Sequence, residues 1–229
     1  MLVQSFAAGP WQTNCYLVAP EPSSECIIID PGYQAMTQVT QYVNEFHLKP
    51  VAVLLTHGHL DHMWSIFPVA QGYDIPAYVH TADRHLLSNP AAGVSHETLQ
   101  ALSELVGPHD IFQEPEQMAT LEDRMELDLI GLSITVRHAP GHTQGSVIFD
   151  MHNEVQQVFT GDVLFAGAIG RTDLPGGSPT AMNTTLRDVI LPIPDEAIVL
   201  PGHGNSSTMK IERATNPYLR RITQGLSAT

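Results

Sequence analysis

Residues 56 to 62 read Thr-His-Gly-His-Leu-Asp-His, placing three imidazoles and a carboxylate within six positions. Neutral imidazole and carboxylate are the ligands that borderline and hard divalent cations prefer. Such groups must be hydrated or oriented wherever they are buried, so four on one short loop point to a shared charged partner. More of the same kind follow: His142 in Pro-Gly-His-Thr, Asp162 in Thr-Gly-Asp and His203 in Pro-Gly-His-Gly. Seven ligand-type groups exceed what one tetrahedral zinc takes and suit two ions.

The spacing narrows the chemistry. It is not the His-Glu-x-x-His helix pair of zinc proteases. His57 and His59 are two residues apart, so extended backbone aims both the same way and lets them share an ion. Gly58 between them is expected to allow a sharp turn. Asp61 and His62 lie past the bend and can reach a second ion. Pro140-Gly141 makes a tight turn that could aim His142, and His203 between glycines would be a terminal ligand. Asp162 has two oxygens and can bridge two cations, which one imidazole cannot. In isolation His142 and His203 would read as ordinary loop histidines; the ensemble gives them a role.

The elements that must carry these groups alternate between strand and helix. Residues 12–19 and 25–30 read as strands, the second closed by Asp30-Pro31-Gly32. Met36, Val39, Val43 and Phe46 form a helical stripe. Residues 51–55 are continuously apolar, as in a strand buried on both faces, and the histidine cluster starts at its C-terminal end. A second helix is expected from Asp61 or His62, with Trp64 in the core. Residues 76–80 read as a strand, and 81–107 as two helical pieces, the second capped by Ser95. Segments 127–138, 145–151, 155–160 and 198–200 read as strands. Ser178-Pro179 opens a helix, and a last helix is expected over about 207–223. The pattern gives an α/β layered protein, a single domain over 1–229, with its candidate ligands on loops at strand ends.

Composition excludes several classes of function. The chain has 229 residues, 43% of them hydrophobic, and a net charge of −14 with only ten Lys and Arg. That balance argues against nucleic acid and anionic lipid as partners. Cys15 and Cys26 lie in apolar strand-like runs without metal spacing and are expected as buried thiols. There is no basic-then-apolar leader and no apolar run of ~20 residues, so a cytoplasmic location is expected, as a monomer or small homo-oligomer.

The order Thr-His-x-His-x-Asp-His, Gly-His-Thr, Gly-Asp and Pro-Gly-His-Gly resembles the metallo-β-lactamase superfamily. It is most similar to the short glyoxalase II-like (hydroxyacylglutathione hydrolase) branch. The resemblance implies an αββα sandwich with a dinuclear site at the edge between two sheets. One metal would take His57, His59 and His142, the other Asp61, His62 and His203, with Asp162 bridging. Asp30 would stand behind the ligands and orient one of them. The ions would be zinc, with iron or manganese as alternatives. The implied reaction is hydrolysis of a small hydroxyacyl thioester of the S-lactoylglutathione type. A metal-bridging hydroxide would attack the carbonyl, assisted by Asp61.

Two departures matter. Longer relatives carry a C-terminal helical domain whose basic side chains hold glutathione, whereas about 25 residues follow His203 here. Lys210, Arg213, Arg220 and Arg221 supply positive charge there, either as a clamp or as a solvated helix face. The run Gly170-Arg171-Thr172-Asp173 occurs both in short glyoxalase II-like hydrolases and in persulfide dioxygenases. Arg171 either meets a substrate carboxylate or pairs with Asp173. A persulfide dioxygenase would hold one iron on His57, His142 and Asp162, but its late motif reads Pro-Ala-His-Asp, and Pro-Gly-His-Gly favours the hydrolase. Other superfamily hydrolases, such as lactonases, are a further alternative. His47, His80, His85, His96, His109, His138 and His152 have no motif context and are expected as surface or packed residues. Residues of 81–120 are expected to wall the site.

Overall fold

A computed structural model describes residues 1–95, 98 and 112–228. In chain order the strands are β1 (Leu2–Ala8), β2 (Thr13–Ala19), β3 (Glu25–Ile29), β4 (Lys49–Leu54), β5 (Ala77–His80), β6 (Met118–Leu121), β7 (Glu126–Leu129), β8 (Leu132–His138), β9 (Val147–Met151), β10 (Gln157–Gly161), β11 (Leu164–Phe165), β12 (Ala168–Ile169), β13 (Ile198–Pro201) and β14 (Ser207–Thr208). The helices are α1 (Met36–Glu45), α2 (Leu60–Met63), α3 (Ile66–Tyr73), α4 (Pro179–Thr185), α5 (Met209–Thr215) and α6 (Pro217–Thr223).

Two six-stranded sheets form, ordered β1-β2-β3-β4-β5-β6 and β14-β13-β10-β9-β8-β7. Pairs β3-β4, β4-β5, β5-β6 and β10-β13 are parallel, and the other pairs are antiparallel. The layering follows from strand alternation. In β2 to β4, Tyr16, Val18, Ile27, Ile29, Ala52 and Leu54 face one way and meet Ile134, Val136, Phe149 and Phe159 of the second sheet. Their neighbours Cys15, Leu17, Cys26, Ile28 and Val53 face the other way and pack with Val39 and Val43 of α1 and Val69 of α3. On the far face of the second sheet, Ile148, Val158 and Val199 pack with Met182 of α4, Met209 of α5 and Leu219 of α6. Helix, sheet, sheet, helix is the αββα order, and strands buried on both faces are why these runs lack polar alternation. Both cysteines are buried and free, and burial pushes their thiols up, Cys26 to about 12.

Several elements differ from the sequence reading. The expected strand over 127–138 is a hairpin, β7 and β8, joined through Ile130 and Gly131, both at positive φ. The expected last helix is broken: Pro217 has no N–H to continue α5, and Asn216 caps α6 by accepting from the Tyr218 N–H at 3.0 Å. The helix after Ser178 is as expected, with Ser178 Oγ accepting from Ala181 N–H. Residues 81–86 and 90–93 are 3₁₀ turns, not α-helix. The second helical piece expected before residue 107 lies mostly outside the described residues, although Ser95 Oγ does accept from the Thr98 N–H. Among the described residues, no helix is long and apolar enough to cross a membrane.

Candidate metal centre

Four strand ends and one short helix deliver the candidate ligands to one edge of the sandwich. β4 leads into His57 and His59, α2 carries Asp61 and His62, and the β8–β9 loop holds His142. Asp162 follows β10 and His203 follows β13. Ligand atoms of His57, His59 and His142 lie within 4.8 Å of one another, as do those of Asp61, His62 and His203. A third set, His57, His62 and Asp162, ties the two together. Asp162 sits between them: its Oδ1 is 3.2 Å from His62 Nε2, and its Oδ2 is 3.5 Å from both His142 Nε2 and His203 Nε2. All seven groups are therefore brought into one cluster.

The imidazole tautomers can be assigned from their partners. His142 Nδ1 lies 2.8 Å from the Arg171 carbonyl and His203 Nδ1 3.0 Å from the Trp11 carbonyl. His62 Nδ1 lies 2.9 Å from Asp30 Oδ2. Carbonyls and carboxylates only accept, so each Nδ1 carries the proton. Thr56 Oγ1 donates to Asp30 Oδ2 at 2.6 Å and so accepts from His57 Nδ1 at 3.1 Å. Four rings are thus locked with their Nε2 atoms turned inward, and His59 presents Nδ1, 2.8 Å from His142 Nε2. Inward ring nitrogens, free to ligate once deprotonated, on rings fixed from behind are the arrangement a metal requires. Nε2 of His57, Nε2 of His59 and Oδ1 of Asp162 are buried without a hydrogen-bond partner. A buried polar atom left unpaired costs about 1–3 kcal/mol, and a cation between His57 and Asp162 removes that cost. The donor set therefore fits two divalent cations.

Electrostatics divide the cluster. Burial, with neighbouring His62, His142 and His59, holds His57 well below the usual imidazole range. Burial and His142 push His59 down to about 3. Burial also opposes charge on His62, but Asp162, Asp61 and Asp30 outweigh it and raise that ring well above its ordinary value. Burial of His203 is likewise outweighed, by hydrogen bonds to Asp162 and Asp61, which lift it to about 9. Asp61 is held at about 2: His62 and His203 overcome the effect of its burial.

Asp30 stands where the sequence reading put it, behind His62, and it also accepts from the Thr56 backbone N–H at 2.8 Å. Gly58 departs from that reading. Its φ is not positive; a Cβ there would come within 2.9 Å of the Asp83 carbonyl oxygen and Leu86 Cδ1. Close approach, not a sharp turn, is what demands glycine. The residue it admits, Asp83, was not singled out from sequence. Buried Asp83 accepts from the Gly58 N–H (2.9 Å), the Gly145 N–H (2.7 Å) and Thr143 Oγ1 (2.7 Å). It clips the His57–His59 loop to the His142 loop. Thr13, Asn14 and Tyr16 were also missed. Thr13 Oγ1 donates to Asp61 Oδ2 at 3.0 Å, and Asn14 and Tyr16 donate to the Pro201 carbonyl. Trp64 is buried in the core as expected.

A cavity of about 420 Å³ opens on the cluster. His59, Asp61, His142, Asp162 and His203 line its floor, and Trp11, Leu60, Val94, Phe165 and Leu174 its apolar walls. Arg171 is at this wall, paired with Asp173 through two bonds of 2.7 Å. Of the C-terminal cations, Arg213 pairs with Asp195 and donates to the Leu191 and Ile193 carbonyls, away from the cavity.

Residues 8–203 match the family model described as the metallo-beta-lactamase superfamily. The chain belongs to the metallo-beta-lactamase superfamily. Within the superfamily, an uncharacterized protein of Mycobacterium tuberculosis is 42% identical, covering 98% of this chain and all of that one. Hydroxyacylglutathione hydrolase GloC of Haemophilus influenzae is 33% identical, covering 96% and 98%. The crystal structure of the B3 metallo-beta-lactamase BLEG-1 aligns with a TM-score of 0.81 at 36% identity, covering 95% and 99%. That of TTHA1623 in a di-iron-bound form aligns with a TM-score of 0.79 at 35% identity, covering 95% and 100%. The two-sheet fold is the superfamily's, and the His/Asp cluster is compatible with its divalent metals.

Proposed function

We propose that this chain is a dinuclear metal-dependent hydrolase of small hydroxyacyl thioesters. The observation that carries the reading is the convergence of five ring nitrogens and two carboxylates, with three of the rings and both carboxylates on the floor of a mostly apolar cavity. Similarity to a hydroxyacylglutathione hydrolase supports the thioester class. His57, His59 and His142 would hold one cation, Asp61, His62 and His203 the other, and Asp162 both. Bound divalent cations supply Lewis acidity, polarising a carbonyl and acidifying water.

The chain's own groups do the rest. Asp61 reaches the cavity while Thr13 fixes its Oδ2, so it can accept a proton from water on the floor. Trp11, Phe165 and Leu174 keep bulk water from the acyl group, which strengthens electrostatic interactions at the floor. Asp30 and the carbonyls of Trp11 and Arg171 prevent the rings from turning as charge develops. No serine or cysteine nucleophile is required; both cysteines are buried in strands. A single iron on His57, His142 and Asp162 would leave Asp61, His62 and His203 without a function, which disfavours the persulfide dioxygenase. Zinc is the proposed metal, with iron as the alternative, given the di-iron-bound neighbour.

The test is turnover of D-lactoyl thioesters, S-D-lactoylglutathione among them, by metal-reconstituted protein, followed by loss of thioester absorbance. Hydrolysis dependent on metal is expected. Confirmed metal content without hydrolysis of any lactoyl thioester would overturn the proposal, and glutathione persulfide in an oxygen electrode and a β-lactam would then be assayed.

A further inference from the structure

The cavity rim bears on the thiol half of the substrate, so its interpretation rests on the thioester hydrolase proposal. Glutathione presents two carboxylates, and recognising them takes basic side chains with free donors. Among the described residues that line the cavity, Arg171 is the one Lys or Arg. Its guanidinium is already engaged, Nε to Asp173 Oδ1 and Nη2 to Asp173 Oδ2, both at 2.7 Å. Residues 85 to 123 contain no Lys or Arg, while Glu97, Glu104 and Asp110 are acidic. Elsewhere Lys49, Arg84, Arg137, Arg187 and Arg213 are ion-paired to Glu25, Glu114, Asp150, Asp188 and Asp195. The chain as a whole carries −14. Apolar walls and a neutralised rim disfavour an anionic arm and accept an uncharged one.

We infer that the site takes thioesters whose thiol carrier is uncharged at the rim, and that Asp173 sets this preference by occupying the Arg171 guanidinium. Asp173 is then a specificity determinant that touches neither the reacting carbonyl nor the metal ligands. The pair is solvent-exposed, so its effect is that of a surface ion pair, severalfold in rate rather than orders of magnitude.

The experiment compares D-lactoyl thioesters of N-acetylcysteamine, which is uncharged, and of glutathione, with wild-type and Asp173→Asn holoenzyme. The wild type should give a kcat/KM for the uncharged carrier at least equal to that for glutathione. Asp173→Asn should raise the glutathione to N-acetylcysteamine ratio by about threefold, and the gain should disappear at high salt. A ratio is read because loosening of the 170–173 loop would lower both rates together. A wild-type preference for glutathione of about tenfold or more, or an unchanged ratio in the variant, would overturn the inference while leaving the hydrolase intact. A second readout does not need turnover: quenching of tryptophan fluorescence, to which cavity-lining Trp11 contributes, by S-methylglutathione and by N-acetyl-S-methylcysteamine. If neither thioester is hydrolysed but Asp173→Asn tightens only the charged thioether, the hydrolase reading fails and the rim inference stands. If the variant tightens neither thioether, or both equally, the inference falls.

Discussion

The two halves of the centre are built from opposite materials. His57, His59 and His142 are three buried imidazoles fixed by Thr56, Asp83 and the Arg171 carbonyl, and burial holds His57 and His59 deprotonated. Asp61, His62 and His203 mix a carboxylate with imidazoles and are tied to the N-terminal segment through Trp11 and Thr13. The first half needs no proton removed before it ligates. The second, in protein stripped of metal, holds protons on His62 and His203 between Asp61, Asp162 and Asp30. The same ligand types thus form one half ready for a cation and one half whose cation must displace protons.

Asp162 is where the halves meet, so its loss should have the largest effect. Asp162→Ala should reduce metal by plasma emission to one equivalent or less and lower kcat/KM on the order of a thousandfold. Two retained equivalents with full activity would sink the two-metal assignment.

Asp83 separates the halves. Asp83→Ala strands three buried donors, two N–H groups and a hydroxyl, and should destabilise the fold by about 3 kcal/mol in chemical denaturation. Metal titration should find the His57–His59–His142 half weakened and the other half little changed. Equal weakening of both would contradict the clip. Asp83→Asn, which keeps an acceptor and the size, should recover part of the affinity.

Asp83 also marks where sequence reading stops. All seven candidate ligands and Asp30 could be singled out because their motifs are local: Thr-His-Gly-His-Leu-Asp-His, Asp-Pro-Gly, Thr-Gly-Asp, Pro-Gly-His. The layered fold could be read from the alternation of strand and helix patterns, with the apolar run at 51–55 as a strand buried on both faces. Asp83 sits in a 3₁₀ turn whose polar sequence looks like any surface segment, and its partners are 25, 60 and 62 residues away. A sequence pattern carries no sign of a contact over that distance. Gly58 gave the one usable clue, misread as a turn. The broken last helix has another reason: Asn216-Pro217 is a plain cap-and-proline signal inside the span 207–223, expected as one helix.

A smaller effect should come from pH. A protonated ring cannot ligate, and His203 near 9 is almost wholly protonated at neutral pH once metal is removed. Affinity of the Asp61–His62–His203 half should therefore rise as pH rises toward 9, about tenfold per unit for each proton displaced. His59, near 3, is neutral across the same range, so the other half should stay nearly flat. Calorimetric titration in buffers of different ionisation enthalpy reads the protons released. Equal release from both halves would erase the contrast.

The finest test touches no ligand. Asn14 Nδ2 donates to the Pro201 carbonyl at 3.0 Å and the Gly204 carbonyl at 2.9 Å, bracketing His203 from a strand almost 190 residues earlier. Asn14→Ala removes both bonds, but Tyr16 Oη still donates to the Pro201 carbonyl at 2.7 Å and the Gly202 carbonyl still accepts from the residue-14 backbone N–H. Two partly replaced bonds should cost about 1–2 kcal/mol in stability. If the N-terminal segment is what holds the second half in place, the variant should lose severalfold in affinity for the second equivalent of metal and nothing for the first. A loss confined to the first equivalent would mean that the halves are not held independently, and the contrast between them would have to be drawn elsewhere.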